Sequence, residues 1–80
     1  MGRIEKQLRK IPERYRERVF TAIERLVARD FSALDRKQLR GYENIFRIRV
    51  GHYRIIYFDD GGEIILKAIR RRNEATYSDF

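Results

Sequence analysis

The first third of the chain carries apolar residues at helical spacing. Ile4, Leu8 and Ile11 fall at positions i, i+4 and i+7, which predicts one buried stripe of a short helix. Pro12 should end that helix, because the residue before a proline is pushed out of the helical region. Proline also suits the first turn of a helix, so a second helix is expected directly after it.

The second predicted helix runs from Glu13 to about Arg29. Its apolar positions repeat at helical spacing, with arginines and glutamates on the other faces; they are Tyr15, Val19, Ala22, Ile23 and Leu26. The tight connection through Pro12 predicts an antiparallel helical hairpin. The joint apolar side of such a hairpin has to be buried against another layer.

Residues 44–57 then alternate between the two faces of a predicted β-hairpin. Gly51 and His52 suit a two-residue type II′ turn between two runs of β-forming residues. That turn pairs Val50 with Tyr53, Arg49 with Arg54, Ile48 with Ile55, Arg47 with Ile56 and Phe46 with Tyr57. One face is therefore apolar and predicted as core, whereas the other carries Arg47, Arg49 and Arg54 beside Ile56 and Phe58.

A third strand is predicted from about Glu63 to Arg70, after a turn at residues 59–62. The expected pairs are Tyr57 with Ile64, Ile55 with Leu66 and Tyr53 with Ala68, which places Lys67 opposite Arg54. Residues 30–41 show no sustained period and are interpreted as an ordered loop, and residues 73–80 as a short helix or turn. The sequence thus predicts an α+β fold, a helical hairpin packed on a three-stranded antiparallel sheet, in one domain over residues 1–80.

Composition narrows the class of partner. The chain has no cysteine and no apolar run near the roughly 18 residues that cross a membrane, and its polar N-terminus lacks a signal segment, so we expect a cytoplasmic protein. The net charge of +7 predicts a polyanionic partner, and nucleic acid is the commonest one in a cell.

The predicted basic face is the candidate site. It collects Arg47, Arg49, Arg54 and Lys67, with Arg71 next in parity. Placing Arg49 directly opposite Arg54 destabilises the strand pair by roughly 0.2 to 1 kcal/mol. Residues that break such a pairing preference tend to lie at functional sites. We therefore prefer phosphate recognition to the alternative of an ordinary solvent-exposed strand face.

Other candidate residues have plainer alternatives. His52 is either a solvated turn residue or a proton carrier, and Tyr77 either fills the core or stacks on an exposed base. One histidine without a motif supports no hydrolase triad, and the carboxylates cluster in a turn, so no metal and no cofactor is predicted.

The pattern RxRxGxYRxxY over residues 47–57 and the run RRRNEATY over residues 70–77 resemble the RelE/ParE superfamily of toxins. The segment IEKQLRKIPERYRERVFTAIERL is similar to the helical hairpin of that superfamily. The resemblance covers nearly the whole chain. It implies a RelE-like toxin: a metal-independent endoribonuclease that cuts messenger RNA on the ribosome, by attack of the substrate 2′-OH on the adjacent phosphate.

The resemblance also implies roles for single residues. Arg47 and Arg49 match two basic strand positions, Arg54 a phosphate-stabilising arginine and Tyr77 a stacking tyrosine. The late arginine is Arg71 by its distance from Tyr77 or Arg72 by the arginine-pair motif, and strand parity favours Arg71. RNA contacts are expected from the neighbouring residues Lys67, Arg70, Arg72 and His52.

Two departures from the family pattern leave alternatives open. The RelE type has lysines where this chain has Arg47 and Arg49, and a guanidinium is a poor general base, although it can still stabilise charge. A ParE-like toxin that inhibits gyrase without catalysis, and a remnant that binds only RNA or protein, are therefore the alternatives.

The second departure is at the N-terminus. Relatives usually begin with a strand before the hairpin, so an open sheet edge is expected, and it could recruit a second copy of the chain as a homodimer or the antitoxin. The cognate antitoxin is expected to be acidic or amphipathic, because a basic face with Ile56, Ile65 and Ile69 interleaved is a poor surface to leave in water.

Overall fold

A computed structural model describes residues 3–71 of the chain. In order, the elements are α1 (Arg3–Arg9), α2 (Glu13–Val27), β1 (Asp35–Gln38), β2 (Ile45–Val50), β3 (Tyr53–Asp59) and β4 (Ile64–Arg71). The strands form one antiparallel sheet in the order β1-β2-β3-β4. The α+β class expected from the sequence is confirmed.

The central hairpin has the predicted register. All five predicted pairs between β2 and β3 are present, including Arg49 with Arg54 and Ile48 with Ile55. Gly51 has a φ of 58°, and His52 does not share this positive φ, as a type II′ turn requires. The turn therefore fixes which side chains of both strands point to each face.

The helices cover one face of the sheet and enclose the main core. α1 packs against β4 and α2 against β2. The core contains helix residues together with alternate strand residues: Ile11, Val19, Ala22, Leu26, Ile48, Tyr53, Ile55, Tyr57 and Ile69. This side is called the closed face, and the opposite side, which carries Arg47, Arg49 and Arg54, is called the open face.

Two arginines complete the helix ends. Pro12 is the N-cap of α2, and the Arg16 guanidinium donates to the carbonyl oxygens of Arg9 and Ile11, which α1 leaves without helical partners. After the C-terminal end of α2, Arg29 has a φ of 58°. Its amide donates to Leu26 and the amide of Asp30 donates to Arg25, which is the Schellman arrangement. Arginine occupies this strained position because its side chain pairs with Asp59.

The structure has one more strand than the sequence predicted, and this strand lies within residues 30–41, which were predicted as a loop. Residues Asp35–Gln38 form β1, so the sheet has four strands. The stretch DRKQ lacks the alternation of apolar residues because β1 is an edge strand. Its inward position is taken by Arg36, whose guanidinium carbon lies 3.9 Å from the centre of the Phe46 ring and 4.3 Å from that of Phe31.

The predicted register between β3 and β4 is also wrong. Tyr57 pairs with Leu66 and Ile55 with Ile69, because the connecting loop is longer than a two-residue turn and a bulge follows at Lys67. Consequently Arg54 faces Arg70 instead of Lys67, Ile69 joins the core, and Arg71 pairs with Tyr53 on the closed face. The bulge thus reverses the parity that favoured Arg71.

A buried ionic cluster closes one end of the closed face. The carboxylate of Asp59 lies 3.2 Å from Arg29 and 3.3 Å from Arg36, with 4% of its side chain exposed. Burial alone would raise the pKa of Asp59, but the Gly61 amide and the two guanidinium groups outweigh it and lower that pKa. Burial raises the pKa of Tyr57, whose hydroxyl accepts a hydrogen bond from Arg36.

The two outer strands of the sheet are short or partly covered. β1 has four residues, and the side chain of Gln38 donates to the carbonyl oxygens of Tyr42 and Glu43 in the following loop. On β4 the amide of Ile69 donates to the side chain of Gln7 from α1, at 2.6 Å. Recruitment of a second copy through an open edge stays a prediction. No helix in the described part of the chain is long and apolar enough to cross a membrane.

Candidate nucleic-acid interface on the open face

One row of charged residues runs across all four strands. Asp35 pairs with Arg49, Arg49 with Arg54, and Arg54 with Arg70, so the four side chains lie on the same face of the sheet. Neighbouring strands are about 4.8 Å apart, so the three arginines line a path of roughly 10 Å. Adjacent like charges on a sheet repel each other, and a phosphate is the kind of anion that several guanidinium groups can bind together.

The arginines of this face differ in exposure. Arg47 is 9% exposed, and its guanidinium lies 3.1 Å from the carbonyl oxygen of Asp35 and 3.4 Å from the carboxylate of the same residue. The side chain of Arg49 is 41% exposed and lies 3.9 Å from the other oxygen of that carboxylate. Arg54 and Arg70 are half-buried. Arg47 is therefore held in place, whereas Arg49 is accessible.

A groove of about 700 Å³ lies against this row. Its walls come from β1, from the loop after it and from the central strands. The charged residues among its described lining are all cations: Lys37, Arg40, Arg47, Arg49 and Arg54. Tyr42 forms part of the wall and is 42% exposed. A cationic groove with an aromatic ring at its wall can accept a phosphate backbone and a stacked base.

Sequence reasoning missed Asp35, Lys37, Arg40 and Tyr42 as members of this site. All four lie in β1 or the loop after it, and the first three fall within residues 30–41, which were interpreted as an ordered loop. The sequence carries a weak signal for these residues of the site, because the stretch KQLRGY over residues 37–42 combines two basic residues, a glycine and a tyrosine. Gly41 has a φ of 88°, which turns the chain so that the loop can close over the face.

A small apolar cluster supports that loop. Leu39 is buried against Ile56 and Ala68, and Ile45 packs beside them. Ile56 is thus on the open face as predicted, but Leu39 covers it. Phe58 and Ile65 form a pair further along the same face, and Ile65 is exposed. The open face is therefore basic toward the β2–β3 turn and apolar toward the other end.

Two of the predicted site residues lie elsewhere. Arg71 and His52 line a second groove of about 500 Å³ beside the connection between the helices, together with Lys10, Arg14 and Tyr15. The rings of His52 and Tyr15 meet edge to face at 6.4 Å. Arg70 lines this groove as well, and the charged residues among its described lining are all basic, so it could also receive a polyanion.

The remaining predicted residues divide into two groups. Lys67 is the extra residue of the β4 bulge and is exposed, and it does not face Arg54. Arg72 and Tyr77 lie outside the described residues. Within residues 3–71 no group of three or more histidine, cysteine or carboxylate side chains is placed to hold a metal ion.

The two helices, the sheet that they cover and the basic open face define a toxin domain of the RelE/ParE superfamily. A family model for the ParE toxin of type II toxin-antitoxin systems, parDE, matches residues 2–76. The chain belongs to this family.

Two relatives carry RelE names. Toxin RelE3 of Methanocaldococcus jannaschii is 36% identical in an alignment of 70 residues that covers 84% of this chain and 80% of that protein. A chain in the crystal structure of the RelB-RelE antitoxin-toxin complex from Methanococcus jannaschii is 32% identical, with a TM-score of 0.77 over 90% of this chain and 87% of that chain. The protein is a RelE-like toxin of a toxin-antitoxin module.

Proposed function

We propose that this toxin stops translation by cutting messenger RNA on the ribosome in the cytoplasm. The observation that carries the proposal is the row of Arg49, Arg54 and Arg70 beside the cationic groove. In this reaction the 2′-OH of one nucleotide attacks the neighbouring phosphate, and no metal takes part. Negative charge grows on the phosphate oxygens, and fixed guanidinium groups stabilise such charge without having to lose a proton.

The arginines take different roles in this proposal. Arg54 is the central member of the row, with an arginine on each side, and contacts the scissile phosphate. Arg49 is the more accessible and binds the same phosphate or the next one. Arg47 is held by Asp35 and acts mainly by positioning its neighbours and by its charge.

The late arginine of the site is proposed to be Arg70. It pairs with Arg54 on the open face, whereas Arg71 pairs with Tyr53 on the closed face. Both arginines also line the second groove. Arg71, Arg72, Lys67 and His52 are assigned to contacts with flanking RNA. Tyr77 keeps its proposed role as a ring that stacks on a base, and Tyr42 is a further candidate for stacking, on the wall of the groove.

Expression of the toxin followed by primer extension on cellular messages tests this proposal. Cuts that fall in phase with codons and disappear in an Arg54→Ala variant are expected. Intact messages in cells that have stopped growing would contradict it.

A ParE-like activity is the second candidate, because the matching family model is described as a ParE toxin. Such a toxin inhibits gyrase by binding and does no chemistry on nucleic acid. Double-strand breaks in the chromosome, with messages left intact, would favour this alternative. A chain that arrests neither translation nor replication would instead be a binding remnant.

We further propose that a cognate antitoxin covers the open face. The similar chain from Methanococcus jannaschii is part of a RelB-RelE antitoxin-toxin complex. The open face is basic at one end and exposes Ile65 at the other, so a partner segment with carboxylates followed by apolar residues would match both ends.

Co-expression with the neighbouring open reading frame tests the partner. We expect loss of toxicity and a complex whose affinity falls as salt is raised. An Ile65→Lys variant should weaken the complex while leaving the fold intact. Toxicity that no neighbouring protein relieves would count against an antitoxin.

A further inference from the structure

The cleavage proposed above needs a group that accepts the proton of the 2′-OH. Arginine and lysine side chains are ordinarily protonated at neutral pH and accept no proton. Among residues 3–71, those that line the groove are cations or uncharged. A carboxylate beside the groove can supply the proton acceptor.

Asp35 is placed to supply it. Its carboxylate oxygens lie 3.4 Å from Arg47 and 3.9 Å from Arg49, and both of these arginines line the groove. The Asp35 side chain is 57% exposed, so a substrate can reach it. In register it stands at the end of the row that continues through Arg49 and Arg54.

The two contacts of Asp35 are unequal. Arg47 is also anchored by the Asp35 carbonyl oxygen, so this arginine stays in place whatever the carboxylate does. The contact with Arg49 is long and lies at the surface, where an ion pair is worth about 0 to 1 kcal/mol. An arriving phosphate can therefore take over Arg49 and leave one carboxylate oxygen open toward the sugar.

We propose that Asp35 is the general base of the cleavage, an inference that rests on the proposed function. Its carboxylate takes the proton of the 2′-OH while the 2′-oxygen forms a bond to phosphorus. The bond between phosphorus and the 5′-oxygen of the next nucleotide breaks, and that oxygen leaves with the electron pair and takes a proton from water. The products are a 2′,3′-cyclic phosphate and a 5′-hydroxyl, and Asp35 returns its proton to solvent.

Single-turnover cleavage of messenger RNA on purified programmed ribosomes tests Asp35. Asp35→Asn keeps an oxygen that can accept from Arg47 but removes the base, so its rate should fall about 10²- to 10³-fold. Ribosome affinity should stay the same or rise, because a negative charge is lost. Asp35→Glu should recover part of the rate. The matched control Glu17→Gln removes an exposed carboxylate from α2 and should leave the rate within threefold.

The outcomes separate the two proposals. A wild-type protein that cuts, with Asp35→Asn cutting within threefold of it, removes the role of Asp35 and leaves the nuclease intact. A Glu17→Gln variant that loses as much of the rate as Asp35→Asn has the same consequence. A wild-type protein that cuts nothing removes both proposals.

A second readout applies even if Asp35→Asn melts below the assay temperature. A plot of the logarithm of the wild-type cleavage rate against pH should fall with a slope of one when the pH is lowered into the acidic range in which carboxylates become protonated. A cleavage rate that does not change with pH in that acidic range would overturn the assignment.

Discussion

Each face of the sheet holds one aspartate between two arginines, and the two clusters have opposite surroundings. On the closed face, Asp59 joins Arg29 and Arg36 with 4% of its side chain exposed. On the open face, Asp35 joins Arg47 and Arg49 with 57% exposed. The same types of side chain therefore surround a buried carboxylate in the first cluster and an exposed carboxylate in the second.

This difference separates stability from function. The Asp59 cluster has its partners inside the fold: the Gly61 amide, the Arg29 and Arg36 guanidinium groups, and rings on which Arg36 stacks. An outside anion would have to displace a buried carboxylate, which is costly. The Asp35 cluster faces a groove, and its cations outnumber its carboxylate along the row. Ligands are therefore expected on the open face.

The largest expected effect is on the activity of the open face. Arg54→Ala should slow cleavage on purified programmed ribosomes about 10²- to 10³-fold, the usual loss when one preorganised group that stabilises transition-state charge is removed. Its melting temperature should change little. The matched control Arg9→Ala removes an exposed charge from α1 and should leave the rate within threefold; equal losses in both variants would point to net charge alone.

The next effect concerns the closed face. Asp59→Asn should lower the free energy of unfolding by about 2 to 3 kcal/mol, because Arg29 and Arg36 then face each other without an anion. Urea denaturation monitored by circular dichroism measures this. Asp35→Asn is the matched control and should cost less than about 1 kcal/mol, since the Asp35 carboxylate is exposed and Arg47 keeps its hydrogen bond to the Asp35 carbonyl oxygen. Equal losses would erase the distinction between the clusters.

The pH dependence of stability sharpens the same contrast. The folded state lowers the pKa of Asp59, so this stabilisation is complete above the unfolded value near 4 and is lost as the pH falls through the folded value. The pKa of Tyr57 is raised, so its contribution is lost as the pH rises above about 10. Asp59→Asn should flatten the acid limb in part, because Asp30 and Asp60 also have lowered pKa values.

A smaller effect distinguishes arginines within the open face. Arg49→Ala should leave the melting temperature nearly unchanged and reduce the slope of log affinity for single-stranded RNA against log salt by roughly one. Arg47→Ala should lower the melting temperature, because that side chain is buried and bonded to Asp35. Fluorescence anisotropy at several salt concentrations compares the two. A larger loss of stability for Arg49→Ala would contradict the assigned roles.

Sequence reasoning predicted the elements whose pattern is local. The spacing of Val19, Ala22 and Leu26 predicts α2, and the Gly51 turn fixes the register of β2 with β3. These predictions held because each depends on a helical period or a turn type that adjacent residues specify. The opposition of Arg49 and Arg54, on which the site depends, followed from that register.

The errors arose where long-range contacts decide. β1 was missed because a charged residue, Arg36, takes an inward position, where it stacks on Phe31 before the strand and on Phe46 in the next strand. The register of β4 was missed because the bulge at Lys67 leaves no mark in the alternation of residues 64–71. As a result Arg70 replaced Lys67 opposite Arg54, and Asp35 was not considered.

Cleavage of a message that lacks one 2′-hydroxyl tests the central claim most directly. A programmed ribosome carries a messenger RNA with a single 2′-deoxynucleotide before the scissile phosphate, and the wild-type toxin is compared on this message and its all-ribose counterpart. The account predicts cutting of the all-ribose message with a 2′,3′-cyclic phosphate at the new end, and no cutting at the deoxy position. Equal cutting of both messages, or of neither, would contradict it.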